Sequence, residues 1–330
     1  MKFTLNVLKP YQKNEIFNSA SPLNRDDYLY SFRKLKEEFE KHGHEFNTQD
    51  VTPKDQSDGT IYIDMPSPSE IAPHSYLILQ ESEVVRPDNY LLDNHRFFKK
   101  IFTWKSELVD DIKYFKLNFC HHIFEPYNEA YFSDKRLLVM VSGNKSSRHS
   151  KELYSERKKA IREIENLIGH EFAYYGPGWE RFYLSNTKIL KAFKKAKIEW
   201  ILPLQKTSSY EGLLEHKIKG MNHFRFCLCF ENAKDIPGYI TEKIFDCFFA
   251  SVVPIYWGAP DIAEYIPVSA YIDFRKFKNI SDLVNTIKNM DQGTFDLYLD
   301  TAKKFLKSEK VKSFSGEHFA KTIVDRVLDI

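Results

Sequence analysis

Residues 224–260, FRFCLCFENAKDIPGYITEKIFDCFFASVVPIYWGAP, constrain the fold of this chain more than any other stretch. Phe224, Phe226, Leu228 and Phe230 alternate, which predicts a strand with an apolar face. Glu231 and Asn232 stand where that strand ends. Pro237 and Gly238 break the following loop. A helix is predicted next, with Thr241, Glu242 and Lys243 near its N-terminus and Ile244, Phe245, Phe248 and Phe249 on its buried side. Val252–Trp257 is a second apolar run, stopped by Gly258 and Pro260. The pattern is a βαβ unit whose polar residues gather between the first strand and the helix. Open parallel sheets bind ligands at that edge, and a helix N-terminus favours phosphate there.

The remainder of the chain repeats this alternation. Strands are predicted at Phe3–Leu8, Phe46–Val51, Thr60–Asp64 and Tyr76–Gln80, with an amphipathic helix over Asp26–His42. The last of these strands delivers Glu81 to its C-terminal end. Phe97, Phe98, Ile101, Phe102 and Trp104 read as core. Residues 118–134 lack a period and read as connecting material, in which the adjacent His121 and His122 fall on different faces. Leu137–Val141, a polar loop and a helix over Glu152–Ile168 form another strand–loop–helix unit. A strand at Phe172–Tyr175 and a helix at Tyr210–Met221 lead into the central motif. A short strand at Ala270–Asp273 follows, and then helices at Ser281–Met290, Thr294–Leu306 and Ser315–Leu328. Each of these helices opens at a Ser or Thr able to cap it.

A chain of 330 residues is too long for one ordinary core and suits two domains. Lys plus Arg (48) nearly cancels Asp plus Glu (46), and the net charge of +2 argues against a general nucleic-acid binder. Basic clusters at Lys188–Lys197 and Lys303–Lys312 read as solvated helix faces. No apolar run reaches the ~20 residues that span a bilayer. The N-terminus has no signal-peptide pattern. These features predict a soluble protein in the cytoplasm, with peripheral contact at the inner membrane face as the alternative. In that alternative the apolar face of the last helix touches the bilayer instead of packing on a domain. Cys120, Cys227, Cys229 and Cys247 match no zinc spacing and read as buried thiols in a reducing compartment.

FCLCFEN, GYITEKIFDCFFA and VVPIYWGAP resemble the donor-binding signature of the family 10 glycosyltransferases, the α-1,3/1,4-fucosyltransferases. The QES at Gln80–Ser82, IFTW at Ile101–Trp104, ELYSERKKAI from Glu152 and YGPGW from Tyr175 agree with it. The resemblance runs in order over residues 77–272, and its form is that of a bacterial enzyme. It implies an α/β, GT-B-like fold of two Rossmann-type domains facing a central cleft. We expect an acceptor-side domain over 1–133 and a donor-binding domain over 134–330. The implied activity is inverting transfer of L-fucose from GDP-β-L-fucose to a GlcNAc-containing glycan, of N-acetyllactosamine or lipopolysaccharide type, in α-1,3 or α-1,4 linkage. The alternatives are a transferase using another GDP-sugar and a catalytically silent glycan- or nucleotide-binding protein. No cofactor and no metal are expected, since no D-x-D motif stands where it would hold a divalent ion.

Such a transfer needs a base for the acceptor hydroxyl, positive charge for the departing diphosphate and tolerance of a cationic sugar ring. Glu81 is the expected base, matching the acidic residue of the family's E-S-P segment; Glu83 stands where that segment has proline and is the alternative. Lys243 at the helix N-terminus is expected to face the diphosphate. By resemblance Asn232 and Tyr239 belong to the same donor pocket, and Arg157 matches a phosphate-binding arginine, with Arg148 as fallback. Arg225 stands where the family often has lysine, so positive charge is retained, and by resemblance it is expected among the donor-binding residues. Glu242 is expected, again by resemblance, near the fucose ring, where it offsets developing positive charge.

Overall fold

The structure is a computed structural model and describes residues 1–127, 130–179 and 208–330; the basic cluster at Lys188–Lys197 lies outside them. Two parallel sheets organise the chain. The first holds β1 (Lys2–Asn6), β2 (Glu45–Thr48), β3 (Gly59–Ile63), β4 (Ser75–Leu79), β5 (Phe98–Thr103) and β6 (Tyr114–Lys116) in the order β2-β1-β3-β4-β5-β6. The second holds β7 (Arg136–Val141), β8 (Phe172–Tyr175), β9 (Phe224–Phe230), β10 (Val253–Trp257) and β11 (Ile272–Asp273) in the order β11-β10-β9-β7-β8. Parallel sheets are covered on both faces, so their central strands read as continuous apolar runs. All five residues of β4 are buried, as are six of seven in β9.

The helices, in chain order, are α1 (Tyr30–Lys41), α2 (Tyr154–Ile168), α3 (Lys217–Met221), α4 (Glu242–Phe249), α5 (Ile262–Tyr265), α6 (Ile280–Lys288), α7 (Gln292–Leu306) and α8 (Gly316–Leu328). Helix α4 buries Ile244, Phe245, Cys247, Phe248 and Phe249, the apolar face its sequence predicts. The caps differ in part from expectation. Asn279 accepts from the Asp282 N–H at 2.8 Å and Asp291 from the Thr294 N–H at 2.9 Å, so two of the last three helices start earlier, on Asx caps. Ser315 caps α8 as expected. The helix predicted from Tyr210 shrinks to α3. Its first residues run alongside β8 instead, where Ser209 C=O accepts from Tyr174 N–H and Gly212, at φ +87°, turns the chain away.

Helix α8 crosses back. The donor-side domain is expected to run to residue 330, yet Phe319, Ile323, Val324 and Val327 pack in one cluster with Phe3, Leu5 and Phe102 of the first sheet and Leu35 of α1. The apolar face of this helix is therefore taken up by the protein, not left for a membrane. No described helix is long and apolar enough to cross a membrane. All four cysteines are free; three are buried and Cys120 is half-buried.

The chain turns from β8 back past β7 to β9, so the order in which strands are added reverses between β7 and β9 while all strands stay parallel. Open sheets bind ligands at that switch point. The C-terminal ends of β4, β5 and β6 in the first sheet face it across a cavity of about 580 Å³. Gly238, at φ +76°, brings the two halves together: a Cβ there would lie 2.6 Å from the Trp104 carbonyl oxygen. Gly176, at φ +138°, lets the loop after β8 approach the Ser142 carbonyl, which a Cβ would meet at 2.2 Å.

Candidate active site

Glu231 ends β9 fully buried, and its carboxylate organises the helix that follows. One oxygen accepts the Thr241 N–H at 2.9 Å and the other the Thr241 hydroxyl at 2.7 Å. This carboxylate ties the strand end to the first turn of α4, where unpaired N–H groups and the helix dipole attract negative charge. Lys243 Nζ then lies 3.3 Å from Glu231, 3.2 Å from Glu242 and 2.9 Å from the Thr241 hydroxyl. Burial disfavours its charge, but Glu242 and Glu231 outweigh that and hold its pKa above the usual lysine range. The ammonium stays charged on the cavity wall.

Glu242 shows half of its side chain to the cavity. Burial pushes its pKa up, and Lys243 and Lys217 together pull it well below the ordinary range, so it is ionised. Lys217 itself is ion-paired with Asp246, one turn further along α4. Burial pushes Asp246 up to about 6 in spite of that pair.

Arg157 is brought in from α2. Its guanidinium donates to the Phe230 carbonyl at 2.6 Å and to Asn232 Oδ1 at 3.1 Å. Burial lowers its pKa. Asn232 Nδ2 reaches the Tyr239 hydroxyl at 3.4 Å. The Tyr239 ring packs against both Trp104 and Phe119 of the other half, at 5.0 and 5.7 Å. Burial raises the Tyr239 hydroxyl well above its usual value, so it remains a neutral donor.

Glu81 faces this group from the end of β4. Asp64 accepts its backbone N–H at 3.0 Å, and its carbonyl accepts from Asn89 Nδ2 at 3.0 Å and the Tyr90 hydroxyl at 3.2 Å. The backbone is thus fixed while the carboxylate lines the cavity with no hydrogen bond to a described residue. Burial raises its pKa, helped by Asp64 and Glu242; Lys243 and Lys145 oppose the rise. Glu83 is held by Lys105 at 3.3 Å and does not line the cavity.

The structure therefore brings Glu81, Arg157, Asn232, Tyr239, Glu242 and Lys243 to one cavity. Arg225 is not among them: it lies near the start of β9, donating to the Phe132 carbonyl at 3.2 Å with its guanidinium 4.1 Å from the Phe132 ring centre. Only the far end of that strand meets the cleft. Arg148 is exposed and also lies outside. Sequence reasoning missed three contributors. Glu231 was visible as a carboxylate at a strand end. Lys145 sits in the loop after β7, where the switch-point rule puts ligands. Lys217 carried no signal, since its partner Asp246 is 29 residues away. Among the described residues no group of three His, Cys, Asp or Glu side chains is arranged to hold a metal ion.

The comparisons with known proteins bear on this geometry. Residues 205–319 match the family model described as Glycosyltransferase family 10 (fucosyltransferase) C-term. The chain is 35% identical over 117 residues to the Helicobacter pylori "Alpha-(1,3)-fucosyltransferase FucT", covering 34% of this chain and 24% of that protein. It is 33% identical over 76 residues to the Arabidopsis thaliana "Alpha-(1,4)-fucosyltransferase", covering 23% and 19%. The matched stretch thus spans a quarter or less of these relatives' length. In three dimensions the likeness extends to the whole chain. A crystal structure of an alpha1,3-fucosyltransferase aligns with a TM-score of 0.57 at 14% identity, covering 100% of this chain and 90% of that one. An alpha-glucosyltransferase bound to UDP and DNA aligns at 0.56 and 12%, covering 99% and 100%. The two parallel-sheet halves facing a cleft are the GT-B fold. Residues 205–319 thus carry the likeness to the C-terminal part of glycosyltransferase family 10, and the fold around them is GT-B.

Proposed function

We propose that this chain is a fucosyltransferase that moves L-fucose from GDP-β-L-fucose to a glycan hydroxyl with inversion, giving an α-linkage. The observation that carries the reading is a carboxylate with a raised pKa, Glu81, facing the Glu242–Lys243 pair across one cavity. In this reading Glu81 takes the proton of the acceptor hydroxyl. The oxygen attacks the anomeric carbon as the bond to the diphosphate breaks, and GDP leaves. Lys243, Arg157 and the α4 N-terminus receive the diphosphate charge. Glu242 offsets positive charge on the ring. Asn232 and Tyr239 fix the wall of the donor pocket. Residues 1–133 with α8 supply the acceptor side and residues 134–315 the donor side. No metal is required, because the lysine and arginine supply the positive charge.

The test is incubation with GDP-fucose and a panel of N-acetyllactosamine and lacto-N-biose acceptors in the presence of EDTA, with products identified by mass and NMR. An α-fucosylated product is expected. A β-linked product overturns single displacement, and transfer only from another GDP-sugar reassigns the donor. Binding of GDP without any transfer makes the chain a silent nucleotide binder.

A further inference from the structure

The remaining wall of the cavity is built by a strap from the N-terminal half, and its construction points to what it holds. Asp26 and Asp27 are consecutive left-handed residues, at φ +51° and +57°. A backbone of that kind persists only where the surroundings over-determine it, and such places gather at ligand clamps. Here the bonds that fix it are explicit. Asp27 is ion-paired to Arg33 at 2.7 Å and lies 2.8 Å from His122 Nδ1. Asn24 Oδ1 accepts the Leu29 N–H at 2.9 Å, and Asn24 Nδ2 donates to Asp27 at 3.1 Å. Arg25 reaches over to the Leu214 carbonyl of the other half at 2.8 Å.

What this strap presents is Tyr28. Tyr28 is 57% exposed and lines the cavity. Its hydroxyl faces the Gln80 side chain, next to Glu81. Asp26 lines the same wall, and its carboxylate accepts from no described residue. A wide aromatic surface held open inside a cleft is an uncovered apolar area awaiting a flat partner. A pyranose has that shape: one face carries axial C–H groups and the rim carries hydroxyls. We propose that Tyr28 is the platform on which the acceptor pyranose stacks, with the Asp26 carboxylate receiving its rim hydroxyls and the reacting hydroxyl directed at Glu81. This rests on the fucosyltransferase reading and adds the acceptor subsite to it.

The test separates the two. Binding of methyl β-N-acetyllactosaminide and a panel of other methyl pyranosides is measured by ligand-observed NMR without donor, and GDP binding by calorimetry, for the unaltered protein, Tyr28→Ala and Tyr28→Trp. Tyr28→Ala is expected to weaken the sugar roughly tenfold or more, the scale of losing one well-packed aromatic anchor. Tyr28→Trp is expected to retain it, and GDP affinity to stay the same in both. Where transfer is seen, Tyr28→Ala raises the acceptor KM and leaves the GDP-fucose KM unchanged. Unchanged sugar binding in Tyr28→Ala, a loss of GDP affinity, or no binding of any pyranoside to the unaltered protein overturns the inference. Tyr28-dependent sugar binding without transfer from GDP-fucose overturns the fucosyltransferase reading and leaves the subsite standing.

Discussion

In the base role proposed for Glu81 two requirements compete: the group must be ionised, yet desolvated enough to want a proton. Its raised pKa meets the second, and Lys243 and Lys145 limit the rise. The sign of the pH dependence follows. The active form is the carboxylate, so kcat/KM falls as pH drops through the raised pKa, which lies above the ordinary value of about 4.3. Lys243 lowers this pKa, so Lys243→Met moves the acid limb to higher pH. A pH–rate profile checks both, and a limb at or below the ordinary value removes Glu81 from the base role. Glu81→Gln is nearly isosteric and is expected to leave GDP affinity unchanged while turnover drops ~10²-fold or more. Lys243→Ala is expected to lower both, at ~2–4 kcal/mol in the transition state. Calorimetry and initial rates separate them; loss of GDP binding in Glu81→Gln would place the residue on the donor side.

Among the elements, the junction of β9 and α4 has the most specific construction. Glu231 is fully buried and holds Thr241 by two bonds and Lys243 by an ion pair. Removing one member of a buried pair leaves an uncompensated charge, so Glu231→Ala is expected to cost ~3–5 kcal/mol in urea unfolding. Glu231→Gln keeps two hydrogen-bonding atoms and is expected to cost less, ~1–3 kcal/mol. Equal losses in the two variants would show that packing, not charge, fixes the junction. The elements around this junction were legible because each carries a long apolar run. β5 and β6 were not: Lys99 and Lys100 interrupt FKKIFT, and β6 is three residues at a sheet edge. Phe98, Ile101, Phe102 and Trp104 were still read as core and are buried, whereas Phe97 is 42% exposed. At the site, motif residues at strand ends were legible. Arg225 was misplaced because a motif match does not say which end of a strand meets the cleft. Tyr28 was invisible because nothing local marks a ring held open by a strap.

Over the whole molecule, the order of the chain and the order of the cores differ at α8. By sequence it follows the second sheet; by packing it belongs to the first. Phe319 meets Phe32 edge-on at 6.0 Å, and the Tyr76 hydroxyl of β4 donates to the Val327 carbonyl at 3.4 Å. Lys100 of β5 binds the Arg326 carbonyl and Asp329. The last residues therefore close the core that the first residues open, and the two halves are joined by a second crossing besides residues 117–135. Ile323 is fully buried in that core. Truncating such a residue costs the lost transfer energy plus a cavity, ~2–5 kcal/mol for Ile→Ala. The location of the effect is the sharper prediction. In Ile323→Ala, native-state hydrogen exchange should quicken at the amides of β1, β3 and β4, which share its cluster, and stay near the original rates in β9 and β10, which do not. The two sets lie far apart in sequence order, with 323 closer to β10 than to β1. Faster exchange confined to β9 and β10 would return α8 to the second domain. Equal acceleration in both sheets would mean that the halves unfold as one unit, with the cavity between them sharing that cooperativity.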